Sequence, residues 1–276
     1  HNARRANSPI INIVGNHPNF HVGFDAPLTS DIDTLANNFS HWTKSCSTNG
    51  TLAQDGADAY TATLRQSTGS AGQISTLIMG ADAAWGESSG PVTPNAIPQR
   101  SKVGESAIEQ VASAINGGGK TILLLEHQAS EQAAMQLASK IASKTGCRLF
   151  NGTFPGRVDG GPGRVAVERL PYFPEQLLAT LDGTENLILV GGEIPASFFA
   201  YQGIPGQLIP EGCKVTRLTS IEEDAVDALE RLAERLGAEN EEIRNYEKTE
   251  ISKPTGKLNT KGIAQSIAAT LPEDVI

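Results

Sequence analysis

The stretch that decides the fold class is PIINIVGNHPNFHVGFDAPLTSD, residues 9–31. Its first part, residues 10–15, is an apolar and largely β-branched run that stops at a glycine. Such a run predicts a central strand of a parallel sheet that is covered on both faces. Because α/β proteins bind their ligands in loops at the carboxyl ends of parallel strands, residues 16–29 are the best candidate for a functional site.

Working outward, residues 1–90 read as the second part of a doubly wound α/β domain whose first strands lie outside this sequence. After the first strand the pattern predicts a helix over 31–37, a strand over 40–46, a helix over 49–67 and a strand over 73–79. Residues 80–90 read as an exit segment, and residues 91–104, rich in Pro, Gly and Ser, as a domain linker.

Residues 105–237 are predicted to form a complete α/β domain with an open parallel sheet. Expected strands are 121–125, 148–150, 164–167, 186–190 and 214–218; expected helices are 108–115, 129–145, 174–181 and 221–236. Residues 238–276 read as a linker, a last helix over 258–271 and the start of another strand. We therefore expect a fragment of a larger protein.

Composition excludes several classes of partner. The chain has 22 basic and 31 acidic residues, a net charge of −9, which argues against nucleic acid or an anionic membrane surface. No apolar run approaches the ~20 residues that a membrane-spanning helix needs. The three cysteines are isolated, with neither a disulfide framework nor zinc spacing, which fits a cytoplasmic protein that handles small molecules.

Four stretches resemble the thiamine-diphosphate enzymes of the acetolactate synthase large-subunit-like type: HNARRANSPIINIVGNHP (1–18), HVGFDAPLT (21–29), LPYFP (170–174) and LVGGEIPASFFAY (189–201). The resemblance implies the end of a pyrimidine-binding domain, a Rossmann-like central domain of the DHS type, and the start of a diphosphate-binding domain. It implies a homo-oligomeric parent, a dimer or tetramer, that decarboxylates or joins 2-oxoacids with thiamine diphosphate and Mg²⁺. The family's catalytic glutamate and its G-D-G motif are absent from this sequence, so we expect this chain alone to hold neither cofactor and to be inactive.

Within the candidate loop, His21, Pro27 and Leu28 are the predicted pocket residues. The family's Phe and Gln correspond to Pro27 and Leu28, and because Leu cannot form a hydrogen bond, the specific acetolactate reaction is in doubt. Related decarboxylases use loop histidines for proton transfer, a role that His21 could fill. His17 and His21 are spaced i, i+4, but the intervening Pro argues against a helical metal site.

Alternatives remain from another class of function. Gly191, Gly192 and the glycine-rich loop 154–164 with Arg157 could hold a nucleotide or FAD, which would make the chain a binding module, and a non-catalytic homologue is also possible. Residues 117–121, GGGKT, mimic a phosphate loop but are better explained as a helix end and tight turn. Trp42, Trp85 and the pair Phe198 and Phe199 are expected in the core or an interface. Residues 1–90 are expected to self-associate through exposed sheet edges.

Overall fold

Two parallel β-sheets organise the chain in the computed structural model, which describes residues 1–46, 48–64 and 72–272. The first sheet contains β1 (Ile10–Asn16), β2 (Trp42–Cys46) and β3 (Ile74–Gly80) in the order β1-β3-β2. Helices α1 (Asn2–Ala6), α2 (Asn19–Val22), α3 (Ile32–Asn37), α4 (Leu52–Leu64) and α5 (Ala81–Trp85) accompany it. All described pairs of its strands are parallel.

The second sheet contains β4 (Thr121–Leu125), β5 (Arg148–Asn151), β6 (Glu168–Arg169), β7 (Asn186–Val190) and β8 (Lys214–Thr219). Its order is β6-β5-β4-β7-β8, and every pair is parallel. Its helices are α6 (Glu105–Asn116), α7 (Gln132–Thr145), α8 (Pro174–Leu181) and α9 (Ala225–Leu236), and a last helix, α10 (Thr260–Ala268), follows. The sequence-based prediction of an open parallel α/β sheet preceded by part of a second one is confirmed.

Burial on both faces explains why the second sheet forms. All five residues of β4 and all five of β7 are buried. One face of these strands packs against apolar residues of α6, α7 and α9, and the other against α8 and Leu208. Apolar runs without alternation are what a parallel strand between two helical layers requires, because neither side chain direction meets water.

The first strand differs from its prediction. β1 pairs only with β3 among the described strands, so it is an edge strand of this sheet, and Ile13 is 69% exposed. The central strand is β3, in which Ile74, Leu77 and Ile78 are at most 4% exposed. The prediction of a covered central strand at residues 10–15 is therefore wrong for the described residues, since local sequence does not say which strand is in the middle.

The prediction of a strand over 164–167 is wrong as well. The strand is β6, two residues long, directly after it. Val165 instead forms a single antiparallel bridge with Asn245, and the Tyr246 hydroxyl donates to the carbonyl of Val167 at 2.6 Å. The segment after α9 thus stays attached to the second sheet as far as Tyr246.

Several helix boundaries are displaced. The helix predicted from 221 begins at Ala225, after Asp224 caps it through the amides of Val226 and Asp227. The helix predicted from 129 begins at Gln132, after a short 3₁₀ helix (His127–Ser130). Helices α1, α2 and α5 were not predicted. The ends of the predicted helix 49–67 and of the strand starting at 272 lie outside the described residues.

Two other expectations can be compared with the structure. Gly117 ends α6 and the turn to β4 follows at once, which confirms that GGGKT is a helix end; the Lys120 ammonium donates to the carbonyl of Asp182. Trp42 is partly buried, whereas Trp85, Phe198 and Phe199 are at least 57% exposed and so lie outside the core. Within the described part of the chain, no helix has the length and apolar character needed to cross a membrane.

Candidate functional site

The loop that follows β1 is held at the carboxyl edge of the first sheet by a polar contact to the neighbouring strand's exit. Asn19, the first residue of α2, donates its backbone N–H and its side-chain amide to the Asp82 carboxylate at 3.0 to 3.1 Å. Asp82 lies in the first turn of α5, which begins directly after β3. Because β1 and β3 are adjacent and parallel, this contact joins the ends of both strands at one edge.

Four rings form a cluster on this loop. The His21 ring lies 5.4 Å from His17, 6.4 Å from Phe20 and 5.8 Å from Phe24, measured between ring centroids. Phe20 is 69% exposed and Phe24 75%. The cluster therefore presents aromatic surface and imidazole nitrogens together at the edge where ligands of α/β proteins bind.

Two polar atoms of the same loop are buried without a hydrogen-bond partner among the described residues. They are Nε2 of His17 and the hydroxyl oxygen of Thr29. A buried polar atom without a partner costs about 1–3 kcal/mol. These two atoms mark the loop as a surface that is completed by a group outside the described residues.

The predicted residues Pro27 and Leu28 are on this loop but point to solvent. Leu28 is 83% exposed and Pro27 is also exposed. The structure thus brings His21 together with His17, Phe20 and Phe24, and leaves Leu28 outside that cluster.

A second set of functional candidates lies at the carboxyl edge of the second sheet, between β4 and β7, where the strand order reverses. Gly191 and Gly192 follow β7 there, as predicted. Residue Glu126, directly after β4, was missed, and its carboxylate fills the space beside Gly152 and Gly192. A side chain on either glycine would collide with this carboxylate.

Electrostatics at this crevice are acidic. Burial raises the pKa of Glu126, although the backbone N–H of Glu193 donates to its carboxylate and Arg5 attracts its charge. Burial also lowers the pKa of His127, whose φ of 53° lies in the left-handed region. Residues of this kind give no local sequence signal, since the glycines that surround Glu126 come from separate segments.

Arg157 lies elsewhere. It is 77% exposed, pairs with Asp159 at 3.3 Å, and lines a cavity of about 310 Å³ between β5 and the segment around Tyr246. Asp159 in turn accepts the first amide of α7, Gln132 N–H, at 3.0 Å, and this bond holds the pKa of Asp159 below its usual value. Gly191 and Gly192 do not line this cavity, so the predicted nucleotide-binding residues do not share one pocket.

Metal-binding groups were also sought in the described ranges. They contain no group of three or more His, Cys, Asp or Glu side chains that could hold a metal ion. The described residues therefore do not fit a Mg²⁺-diphosphate site.

Comparison with known proteins confirms the resemblance found in the sequence. The chain is 36% identical over 277 residues to a Mycobacterium tuberculosis protein named "Putative acetolactate synthase large subunit IlvX". The match takes in 100% of this chain and 52% of that protein, so the chain spans about half the length of the curated relative. No family model matches the chain.

Solved structures share the fold. A thiamin diphosphate-dependent enzyme from Mycobacterium smegmatis, described as putative, superposes with a TM-score of 0.73 at 18% identity, over 99% of this chain and 55% of that one. A thiamine diphosphate-dependent 4-hydroxybenzoylformate decarboxylase from Rhodococcus jostii gives 0.75 at 17% identity, over 100% and 55%. Benzoylformate decarboxylase from Polynucleobacter necessarius gives 0.65 at 14%, over 100% and 54%.

Proposed function

We propose that this chain, a homologue of the acetolactate synthase large-subunit-like proteins along its whole length, forms two parts of a thiamine-diphosphate-dependent enzyme. These parts are the end of its pyrimidine-binding domain, residues 1–90, and its central domain, residues 105–237. The observation that carries the proposal is the sequence match over every residue of this chain to half of a longer relative. The intact enzyme would join or cleave a carbon–carbon bond next to a carbonyl group of a 2-oxoacid.

The chain's own contribution is one wall of the substrate pocket. The loop of residues 16–29 sits at the carboxyl edge of the first sheet and carries exposed rings and two unpartnered buried polar atoms. His21 is the candidate for moving a proton to or from the substrate, since imidazole titrates near neutral pH. Leu28 makes the neighbouring surface apolar, which favours 2-oxoacids with an apolar side chain over those that need a hydrogen bond there.

Thiamine diphosphate and Mg²⁺ supply the carbanion chemistry in such enzymes, and we propose that both are bound mainly by polypeptide outside this chain. The absence of a suitable ligand group among the described residues supports this division. The alternative of a nucleotide-binding or FAD-binding module is disfavoured, because the Glu126 carboxylate occupies the crevice beside Gly192 and would repel a diphosphate.

The test compares the 276-residue chain with the complete protein encoded by its gene. Calorimetric titration with thiamine diphosphate and Mg²⁺, together with CO₂ release from a panel of 2-oxoacids, should show binding and turnover only in the complete protein. Tight cofactor binding by the chain alone would contradict the division proposed here. Neither binding nor turnover by the complete protein would leave a non-catalytic homologue as the better explanation.

Variants of the complete protein test the pocket wall. His21→Ala should lower kcat with a changed pH profile, while Leu28→Gln should change the preference among 2-oxoacids. Leu28→Ala is the matched control, since it removes volume without adding a polar group. Equal substrate preference in Leu28→Gln and Leu28→Ala would exclude a role for polarity at this position.

A further inference from the structure

An exposed aromatic patch lies on the second sheet, away from the loop of residues 16–29. Its six members are Phe154, Tyr172, Phe173, Phe198, Phe199 and Tyr201, each between 38% and 60% exposed. They come from the segments that follow β5, β6 and β7 at the carboxyl edge of the sheet. The ring centroids of neighbouring members are 4.7 to 6.4 Å apart, so the six rings form one continuous surface.

The patch is held rigidly by hydrogen bonds beneath it. The segment carrying Phe198 and Phe199 is closed by the amide of Ser197 donating to the carbonyl of Gly206 at 3.0 Å, and by an antiparallel bridge from Ala196 to Gln207. The hydroxyl of Thr153 donates to the carbonyl of Pro171 at 3.2 Å, which joins the other two segments. Rings that are already fixed lose little conformational entropy when a partner covers them.

The size of the patch matches part of a protein interface. Six rings of about 200 Å² each, roughly half exposed, present about 600 Å² of aromatic surface. A stable interface buries about 800 Å² on each partner, with Tyr and Phe enriched at its centre. The patch with its immediate polar rim is therefore large enough for one such interface, and an apolar surface of this extent is uncommon on an unpartnered protein.

The character of the patch narrows the choice of occupant. Adjacent rings are tilted by 49° to 84° and contact one another directly, so they leave no parallel slot for a flat ligand. The net charge of −9 disfavours nucleic acid and anionic lipid. It also means that two copies of this chain repel each other unless they meet through an uncharged face, and none of the six patch residues carries a charge.

We propose that the aromatic patch is the contact through which two copies of this chain dock about a twofold axis. The patch has two halves, the rings of the 196–207 segment and the rings of Phe154, Tyr172 and Phe173. In a twofold interface the first half of each copy packs on the second half of the other, so a single surface satisfies both partners. This proposal is independent of the catalytic function proposed above.

The test separates this patch from the exposed edge strand β1, the other apolar surface expected to self-associate. All variants are made in the 276-residue chain carrying Ile13→Lys, which places a charge on that edge. Sedimentation velocity over a concentration series should show a dimer in this background. Adding Phe198→Ser and Phe199→Ser should weaken association by about 100-fold or more, because central aromatic residues dominate interface energies.

Matched controls keep the result interpretable. Phe24→Ser and Trp85→Ser remove equally exposed aromatic residues outside the patch and should leave association unchanged. A cysteine at the patch, Phe199→Cys in a Cys213→Ser background, should form an intermolecular disulfide faster than Trp85→Cys does. A monomeric Ile13→Lys chain, unchanged association in the Phe198 and Phe199 variant, or equal disulfide rates would each overturn the proposal.

Discussion

Replacing Asp82 by alanine is expected to release the loop of residues 17–29 from the first sheet while the second sheet stays folded. The Asp82 carboxylate accepts the backbone N–H of Asn19 at 3.0 Å and both contacts of the Asn19 amide at 3.1 Å. These are the printed bonds that tie α2 to α5, and they cross 63 residues of sequence. Losing them therefore acts on the position of the loop more than on either helix.

The size of the effect follows from the two donors involved. Hydrogen bonds to a charged acceptor contribute about 1.5–3 kcal/mol each, and at this partly exposed position about 1 kcal/mol each is the better value. The loss of both is then worth roughly 2 kcal/mol, which corresponds to an approximately 30-fold larger population of the open loop. Global stability changes less, because the loop contributes few buried apolar contacts.

Hydrogen exchange followed by mass spectrometry measures this directly, because peptides covering residues 17–29 report loop opening separately from the core. Asp82→Ala should speed their exchange, and Asp82→Asn, which keeps an acceptor oxygen, should have a smaller effect. Asp159→Ala is the matched control, since Asp159 also accepts a backbone amide, that of Gln132, but at the second sheet. Unchanged exchange over 17–29 in Asp82→Ala would refute the reasoning and assign the loop's position to its ring contacts.

Three further predictions concern stability. Glu126 has a raised pKa in the folded chain, so its ionisation opposes folding, and stability is lost as pH rises from its ordinary value of 4.5 through the folded-state pKa. Glu126→Gln should therefore be more stable than wild type by urea denaturation at about pH 7.5 and show no advantage at about pH 4; an equal difference at both would contradict this. Asp224→Ala removes the cap that accepts the amides of Val226 and Asp227 and should cost about 1 kcal/mol, a loss that chemical denaturation resolves. Ile188→Ala, at a fully buried position of β7, should cost about 2–5 kcal/mol, whereas Ile13→Ala at the exposed edge should cost under about 1 kcal/mol; similar costs would be inconsistent with these burial values.

The elements that the sequence predicts well are those whose burial is decided locally. β4 and β7 are apolar at nearly every position, and only a strand covered on both faces accommodates such a run. Helix α9 repeats its apolar residues on one face, and it begins at an Asp cap and ends at a glycine with φ of 64°. In each case a short window contains the whole physical reason for the structure.

The elements that it predicts poorly depend on distant partners. The apolar pattern at 164–167 is the same that a strand would show, yet Val165 meets Asn245, eighty residues away along the chain. Helix α5 is five residues long, and its first turn contacts Asn19 through Asp82. β1 has the composition of a central strand, but strand order is a property of the whole sheet. The same limit applies to the site, where the ring cluster around His21 is local and Glu126 is not.

Gly191 and Gly192 show why a glycine pair after a strand is insufficient to predict a phosphate site. A phosphate site needs free backbone N–H groups and the start of a helix behind them. Here the Gly191 amide donates to the carbonyl of Thr219 at 3.1 Å, and the next amide but one, that of Glu193, donates to Glu126. No helix follows before β8 in this described segment. The φ of 79° at Gly191, and the 2.7 Å that would separate a Cβ there from the Glu126 carbonyl, instead require glycine for close packing of β7 against the exit of β4. The pair is thus explained by backbone geometry and by the space that Glu126 occupies, and the chemistry of the site has to be sought at the loop that follows β1.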